Sequence, residues 1–262
     1  MNDKKGGYME IFFAIFVFIL GLSIGSFLNV CIYRIPKNKS IVFGRSHCTK
    51  CSIEIKNYDL VPVISFIVLG GKCRNCKSKI SIKYPVVELL NATLYLFIFV
   101  FFKFSIEFFI YAALTSILIV ISLIDYENKL IPNILVLLIL IIGIFSFFFS
   151  YQLFWYERVI GFFAASLPLI IAAIVSKGGM GGGDIKLMAV CGLILGWKLI
   201  LISLFVGCIL GTIYGFISRF KNGSFLKAYI PFGPSLSAAM ILSFFFGNTL
   251  ILWYTSTFLK II

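Results

Sequence analysis

Long uncharged runs, separated by short segments that hold nearly all the charge, dominate this chain. A helix crosses a bilayer with about 20 mostly apolar residues. The first run predicts a helix at 10–33, and seven more follow at 85–102, 106–124, 131–149, 158–176, 185–196, 199–218 and 230–258. The run 60–69 is also apolar but too short to span, and is expected to pack a small domain or lie on the membrane surface. The sixth and seventh helices are the ambiguous pair. Only Leu187 to Trp197 separate Lys186 from Lys198, about 17 Å of helix at 1.5 Å per residue, and one fused helix is the rival.

Loop charge decides between them. With eight spans and the N-terminus outside, the inside segments are 34–84, 125–130, 177–186 and 219–229, and they hold 17 of the 23 Lys and Arg. Lys4, Lys5, Lys103, Arg158, Lys198 and Lys260 fall outside. Fusing the sixth and seventh helices would move Arg219, Lys221 and Lys227 outside, against the rule that cytoplasmic loops carry the excess of cations. The expected fold is an all-α polytopic membrane protein of about eight transmembrane helices. A small cytoplasmic loop domain lies between the first and second. Its divisions are a first helix within 1–33, the loop 34–84 and a transmembrane domain 85–262.

Composition agrees: 61% of the 262 residues are hydrophobic and 13% charged, with mean hydropathy +1.07, against roughly 45–50% and 25% in soluble domains. The net charge of +13 does not imply nucleic acid, because the cations sit in short loops where they set topology and attract anionic lipid headgroups. Lys4 and Lys5 precede the first apolar run as in a secretory signal. That run exceeds the ~7–15 residues of a signal core and shows no clear small-x-small cleavage site, so it reads as a retained helix.

The loop 34–84 contains Cys48-Thr-Lys-Cys51 and Cys73-Arg-Asn-Cys76. Each Cys-x2-Cys turn aims two thiolates at one ion, and two turns complete a tetrahedral site suited to Zn²⁺. The 21-residue spacer is slightly longer than the ~15–20 of common zinc ribbons. Disulfides fit a reducing compartment poorly, and a site closed by four thiolates is structural. His47 is placed beside it. Cys31, Cys191 and Cys208 lie in apolar helices and read as small buried residues.

Two aspartates stand at helix ends: Asp125 after the third apolar run, and Asp184 after Gly178-Gly-Met-Gly-Gly-Gly183. Each has a plain alternative, a solvated loop acid for Asp125 and a helix N-cap for Asp184. The five glycines around Met180 exceed what a cap needs and suit close backbone approach to an extended substrate. Two facing carboxylates suit aspartyl-type hydrolysis, one ionised to activate water and one protonated to donate to the scissile carbonyl. Helix polarity predicts Asp184, at an N-terminus, as base and Asp125, at a C-terminus, as acid.

Taken together, these segments resemble the type IV prepilin peptidase family (prepilin leader peptidase / N-methyltransferase). Gly25-Ser-Phe-Leu-Asn-Val-Cys-Ile-Tyr-Arg-Ile-Pro36 is similar to the family's N-terminal signature. The paired Cys-x2-Cys loop, Ile80-Ser-Ile-Lys-Tyr-Pro-Val-Val-Glu88 and the Asp125 and Asp184 segments also match it. The resemblance implies an aspartyl endopeptidase of the bacterial cytoplasmic (inner) membrane. It would cleave the short basic leader of prepilins or pseudopilins at the cytoplasmic face, with Asp125 and Asp184 catalytic. The cysteine loop further implies N-methylation of the new terminus from S-adenosylmethionine. No Gly-x-Gly-x-x-Gly fingerprint marks a methyl-donor site. Gly25, Asn29, Arg34 and Glu88 are candidates for that activity by position, with helix packing and topology as equal alternatives.

Two other functions compete. An intramembrane Gly-x-Gly-Asp protease of different specificity is disfavoured by the cysteine loop and the edge placement of the acids. A transporter or assembly scaffold would need polar residues near the midplane, where the spans offer little beyond Asn29, Glu88 and Asn91.

Overall fold

The computed structural model describes residues 2–150, 153–177, 179–222 and 231–259. Gly178, residues 223–229 of the predicted inside segment 219–229, Ile230 and Lys260 lie outside the described residues. The described chain is helical, without strands: α1 Asn2–Arg34, α2 Ile64–Val68, α3 Lys83–Phe102, α4 Ile106–Asn128, α5 Asn133–Phe149, α6 Trp155–Val175, α7 Gly182–Asn222 and α8 Gly233–Tyr254. Six of these are long and apolar enough to cross a membrane. α5 is apolar but has 17 residues. α7 runs through both the sixth and seventh predicted spans, yet Gly196 within it has φ 73° and ψ 170°, so the helical path breaks there. These angles belong to a region open essentially to glycine alone.

Residues 1–120 and 121–262 form two compact units, with α4 contributing to both. In the first, α1 lies against α3 through Gly21 and Gly25. A Cβ at Gly21 would stand 2.6 Å from Ala92 Cα, and one at Gly25 2.7 Å from Glu88 Cα. Small residues four apart let helix backbones approach closely where no hydrophobic effect drives them together. Polar side chains join α1 to α3 and α3 to α4. Asn91 donates to Gly21 O at 2.8 Å, Ser116 donates to Asn91 Oδ1 at 3.0 Å, and Tyr95 and Ser116 hydroxyls meet at 3.0 Å. Asn29 donates to Tyr84 O at 3.1 Å. Gly25 and Asn29 both take part in the packing of α1 against α3.

In the second unit, α7 packs against α5, α6 and α8. α6 and α7 cross at Gly161 and Gly192, where a Cβ on either glycine would strike the other's carbonyl group. Arg158, which the charge count places outside as a topology marker, is 1% exposed. It donates to Ser146 Oγ at 2.7 Å, Ser150 O at 2.9 Å and Leu193 O at 3.2 Å. Ser150 ends α5 and Leu193 precedes the break at Gly196. The last four carbonyls of a helical stretch lack partners within it, so one buried cation serves two helix C-termini.

Candidate active site and metal centre

The loop between α1 and α3 is built from the same backbone unit twice, 25 residues apart. Ser52 N–H donates to Cys48 O and Lys77 N–H to Cys73 O; Cys48 N–H donates to Ile53 O and Cys73 N–H to Ser78 O. Ile55 N–H donates to Ser46 O, as Ile80 N–H does to Gly71 O. His47 pairs with Glu54 and Lys72 with Lys79 in isolated antiparallel bridges. Ser52 and Lys77 take the positive φ that closes each turn, 57° and 55°.

The two turns bring Cys48, Cys51, Cys73 and Cys76 together, with all four sulfurs within 4.8 Å of one another, and this cluster could hold a metal ion. No disulfide joins them. Backbone N–H groups of Cys51 and Lys50, in that order of effect, hold the Cys48 thiol down to about 6, far below the ordinary thiol. The Ser78 hydroxyl, then its amide, lowers Cys76. At Cys48 and Cys76 these hydrogen bonds favour the thiolate, the form that binds metal. The Cys73-Arg74-Asn75-Cys76 turn is fastened from outside: Arg74 makes a two-pronged pair with Asp59 at 2.8 and 2.7 Å, which holds the Asp59 carboxyl below its usual range. The His47 ring lies 3.5 Å from Arg45 O and does not join the four sulfurs.

Two buried polar groups from the helices fix the rest of the loop. Arg34, 8% exposed, donates to the carbonyls of Ser40, Phe43, Gly44 and Arg45 at 2.8–3.3 Å. Glu88 accepts the Val63 N–H at 2.8 Å and bonds Ser26. Val63 sits at φ 60°, ψ −48°, with Ile64 N–H donating to Pro62 O. This is the rare, strained hand of the γ-turn, in a β-branched residue that seldom takes positive φ. Both side chains are thus engaged in shaping the loop.

In the second unit Asp125 and Asp184 are buried, 4% and 6% exposed, and close enough to feel each other's charge. Asp125 lies inside α4, one turn before its end, rather than just beyond it as the apolar run implies. The stop comes at Lys129, whose φ is 56° and whose N–H donates to Asp125 O at 2.9 Å, a left-handed C-terminal cap. Asp184 is the third residue of α7, which begins at Gly182, so it stands within the first turn and is not the cap residue. Its Oδ1 is buried without a hydrogen-bond partner. In the glycine run, Gly183 has a packing reason, since a Cβ there would lie 2.9 Å from Ile131 Cβ. A Cβ at Gly182 would meet nothing within 4 Å, which leaves open space beside the start of the Asp184 helix, α7.

The sequence misses one participant. Asp125 Oδ2 accepts the Gly233 N–H at 2.9 Å, and Gly233 is the first residue of α8. Asp125 therefore stands near the C-terminus of its own helix while its carboxylate meets the first N–H of α8, and Asp184 stands in the first turn of α7. The only hint in the sequence is Pro231-Phe-Gly-Pro234, a helix-start pattern with proline just inside the first turn.

Apolar spans exposing rows of Ile, Phe and Val, with two carboxylates buried among the helices and four thiols gathered in a loop, describe a polytopic integral membrane protein. Residues 19–102 match the bacterial peptidase A24 N-terminal domain, and residues 112–216 match the type IV leader peptidase family. The prepilin leader peptidase/N-methyltransferase of Bacillus subtilis (strain 168) is 34% identical over 238 residues, covering 91% of this chain and 96% of that protein. Proteins of the same description from Pseudomonas aeruginosa (31% identical; 95% of this chain, 94% of that one) and Vibrio cholerae (32%; 90% and 98%) are also similar. No solved structure gives a significant match. The chain belongs to the type IV leader peptidase family.

Proposed function

We propose that this protein cleaves the leader from prepilins or pseudopilins and methylates the new N-terminus, with Asp125 and Asp184 as the catalytic pair. The observation that carries the peptidase reading is the burial of two carboxylates within electrostatic reach of each other among apolar helices. Burying two acids without strong use is costly in a membrane protein. One carboxylate takes a proton from water, and the resulting hydroxide attacks the scissile carbonyl carbon. The other acid donates its proton to the carbonyl oxygen, and collapse of the tetrahedral intermediate returns a proton to the leaving amine. The resting pair shares one proton.

The four-cysteine loop is proposed to hold Zn²⁺ structurally. A tetrahedral ion with bonds of about 2.3 Å sets its sulfurs about 3.8 Å apart, and Cys48 Sγ and Cys76 Sγ are 3.8 Å apart. Four thiolates leave no position for water. S-adenosylmethionine would supply the methyl group. The cation-rich segment 34–84 is proposed to face the cytoplasm at the inner membrane, where a basic leader is retained, and residues 85–262 to form the peptidase domain. Lipid would cover the exposed apolar helix faces.

Purified protein in detergent or proteoliposomes, incubated with a prepilin bearing a basic leader, should yield a product lacking the leader. Asp125→Asn and Asp184→Asn should each abolish cleavage while methylating a pre-cleaved pilin as before. Retained cleavage in either variant would refute the pair.

A further inference from the structure

The contact between Asp125 and the start of α8 carries a role for a residue that does no chemistry. Asp125 Oδ2 is bound by the Gly233 N–H. The next residue is Pro234, which has no N–H to offer. A Cβ at Gly233 would stand 2.7 Å from Asp125 Oδ2 and 3.1 Å from both its Cβ and Cγ. The carboxyl group therefore occupies the volume that any other residue's side chain would need. The clash falls along the whole short side chain, from Cβ to oxygen, and Asp125 has no flexible end with which to yield. Its surroundings are buried.

We propose that Gly233 is a positioning residue of the peptidase site: its missing side chain makes room for the Asp125 carboxyl, and its N–H fixes Oδ2. This rests on the aspartate pair proposed above. With Oδ2 held by a backbone donor, Oδ1 is the oxygen free to meet water or substrate. An N–H bond at a helix N-terminus favours the ionised form of its acceptor, whereas Asp184 Oδ1 has no donor. Asp125 thus takes the proton from water, and Asp184 carries the shared proton to the carbonyl oxygen. This reverses the assignment drawn from the α4 and α7 dipoles alone.

The test uses the full-length protein with Gly233→Ala, and Gly207→Ala as packing control. Gly207 lies on α7 against α8, where an added Cβ would come within 2.8 Å of Leu236 Cδ2, the far end of a flexible side chain. Misplacing a reacting group by about 1 Å can cost roughly 100-fold. Gly233→Ala should lower kcat for leader cleavage by about that factor, with KM for the prepilin within about threefold. Methylation of a pre-cleaved pilin should be unchanged, and Gly207→Ala should keep near-normal kcat. A Gly233→Ala enzyme with wild-type kcat, or equal losses in both variants, overturns the proposal. Should Gly233→Ala fail to fold, NMR of ¹⁵N-glycine-labelled protein decides. The Gly233 amide resonance should move further in Asp125→Asn than in Asp184→Asn, and the opposite order overturns the assignment. Cleavage surviving in either Asn variant would instead refute the aspartate pair itself.

Discussion

Arg158→Met keeps a long unbranched side chain and removes the guanidinium from the junction of α5, α6 and α7. Three bonds go with it, to Ser146 Oγ, Ser150 O and Leu193 O. Hydrogen bonds to a charged group contribute about 1.5–3 kcal/mol each, so the gross loss is about 4.5–9 kcal/mol. Removing the cation also removes its own burial penalty, several kcal/mol in real proteins. Ser146 keeps a partner, since its hydroxyl also donates to Gly143 O at 2.7 Å. The net cost is about 2–4 kcal/mol, or about 5–15 °C in midpoint on the usual scale for a chain of this size. Thermal unfolding of the detergent-solubilised protein, followed by circular dichroism or a thiol-reactive dye, measures it. Arg158→Lys should fall between, because one ammonium cannot serve three separated acceptors. Arg45→Met is the control: its pair with Glu54 is exposed, 78% and 63% by side chain, and exposed pairs contribute little. Equal midpoints for Arg158→Met and Arg45→Met would show that the buried guanidinium does not hold these helix ends.

Three other outcomes are expected. Gly161→Leu or Gly192→Leu should separate α6 from α7 and abolish leader cleavage with loss of folded protein in size-exclusion profiles, whereas Gly182→Ala, placed in open space, should fold normally. Metal analysis of the purified protein should return one zinc per chain; Cys48→Ser or Cys73→Ser should reduce it by most of its amount and leave the unit containing the aspartates able to cleave. Glu88→Gln, which can still accept the Val63 N–H, should keep the loop's protease resistance, while Glu88→Leu should expose the segment around Pro62 to cutting.

How much of this was legible in the sequence follows from the physics of each feature. The helices were, because a bilayer demands about 20 apolar residues from a local stretch of chain; their ends were less so. α4 continues past its apolar run through Asp125 because the stop is set by Lys129's backbone, which hydrophobicity does not encode. The cysteine cluster was legible through spacing, although the 25-residue repetition of hydrogen bonds around it was hidden by dissimilar side chains. Gly233 was not, since it is one of 22 glycines and meets Asp125 across 108 positions. The structural role of Arg158 was hidden for a related reason: a charge beside an apolar run reads only as a topology marker until its acceptors on other helices are known.

The loop's dependence on Arg34 and Glu88 bears on its portability. The knuckles of residues 46–55 and 71–80 carry their own hydrogen bonds, but the stretches between them and the membrane borrow their order from α1 and α3. Four carbonyls of residues 40–45 rest on Arg34, and the strained turn at Val63 rests on Glu88. Residues 38–82 grafted onto another scaffold would keep the four-sulfur cluster and lose the shape. Exchange of this segment between relatives should therefore succeed only when the donor's two anchoring side chains travel with it.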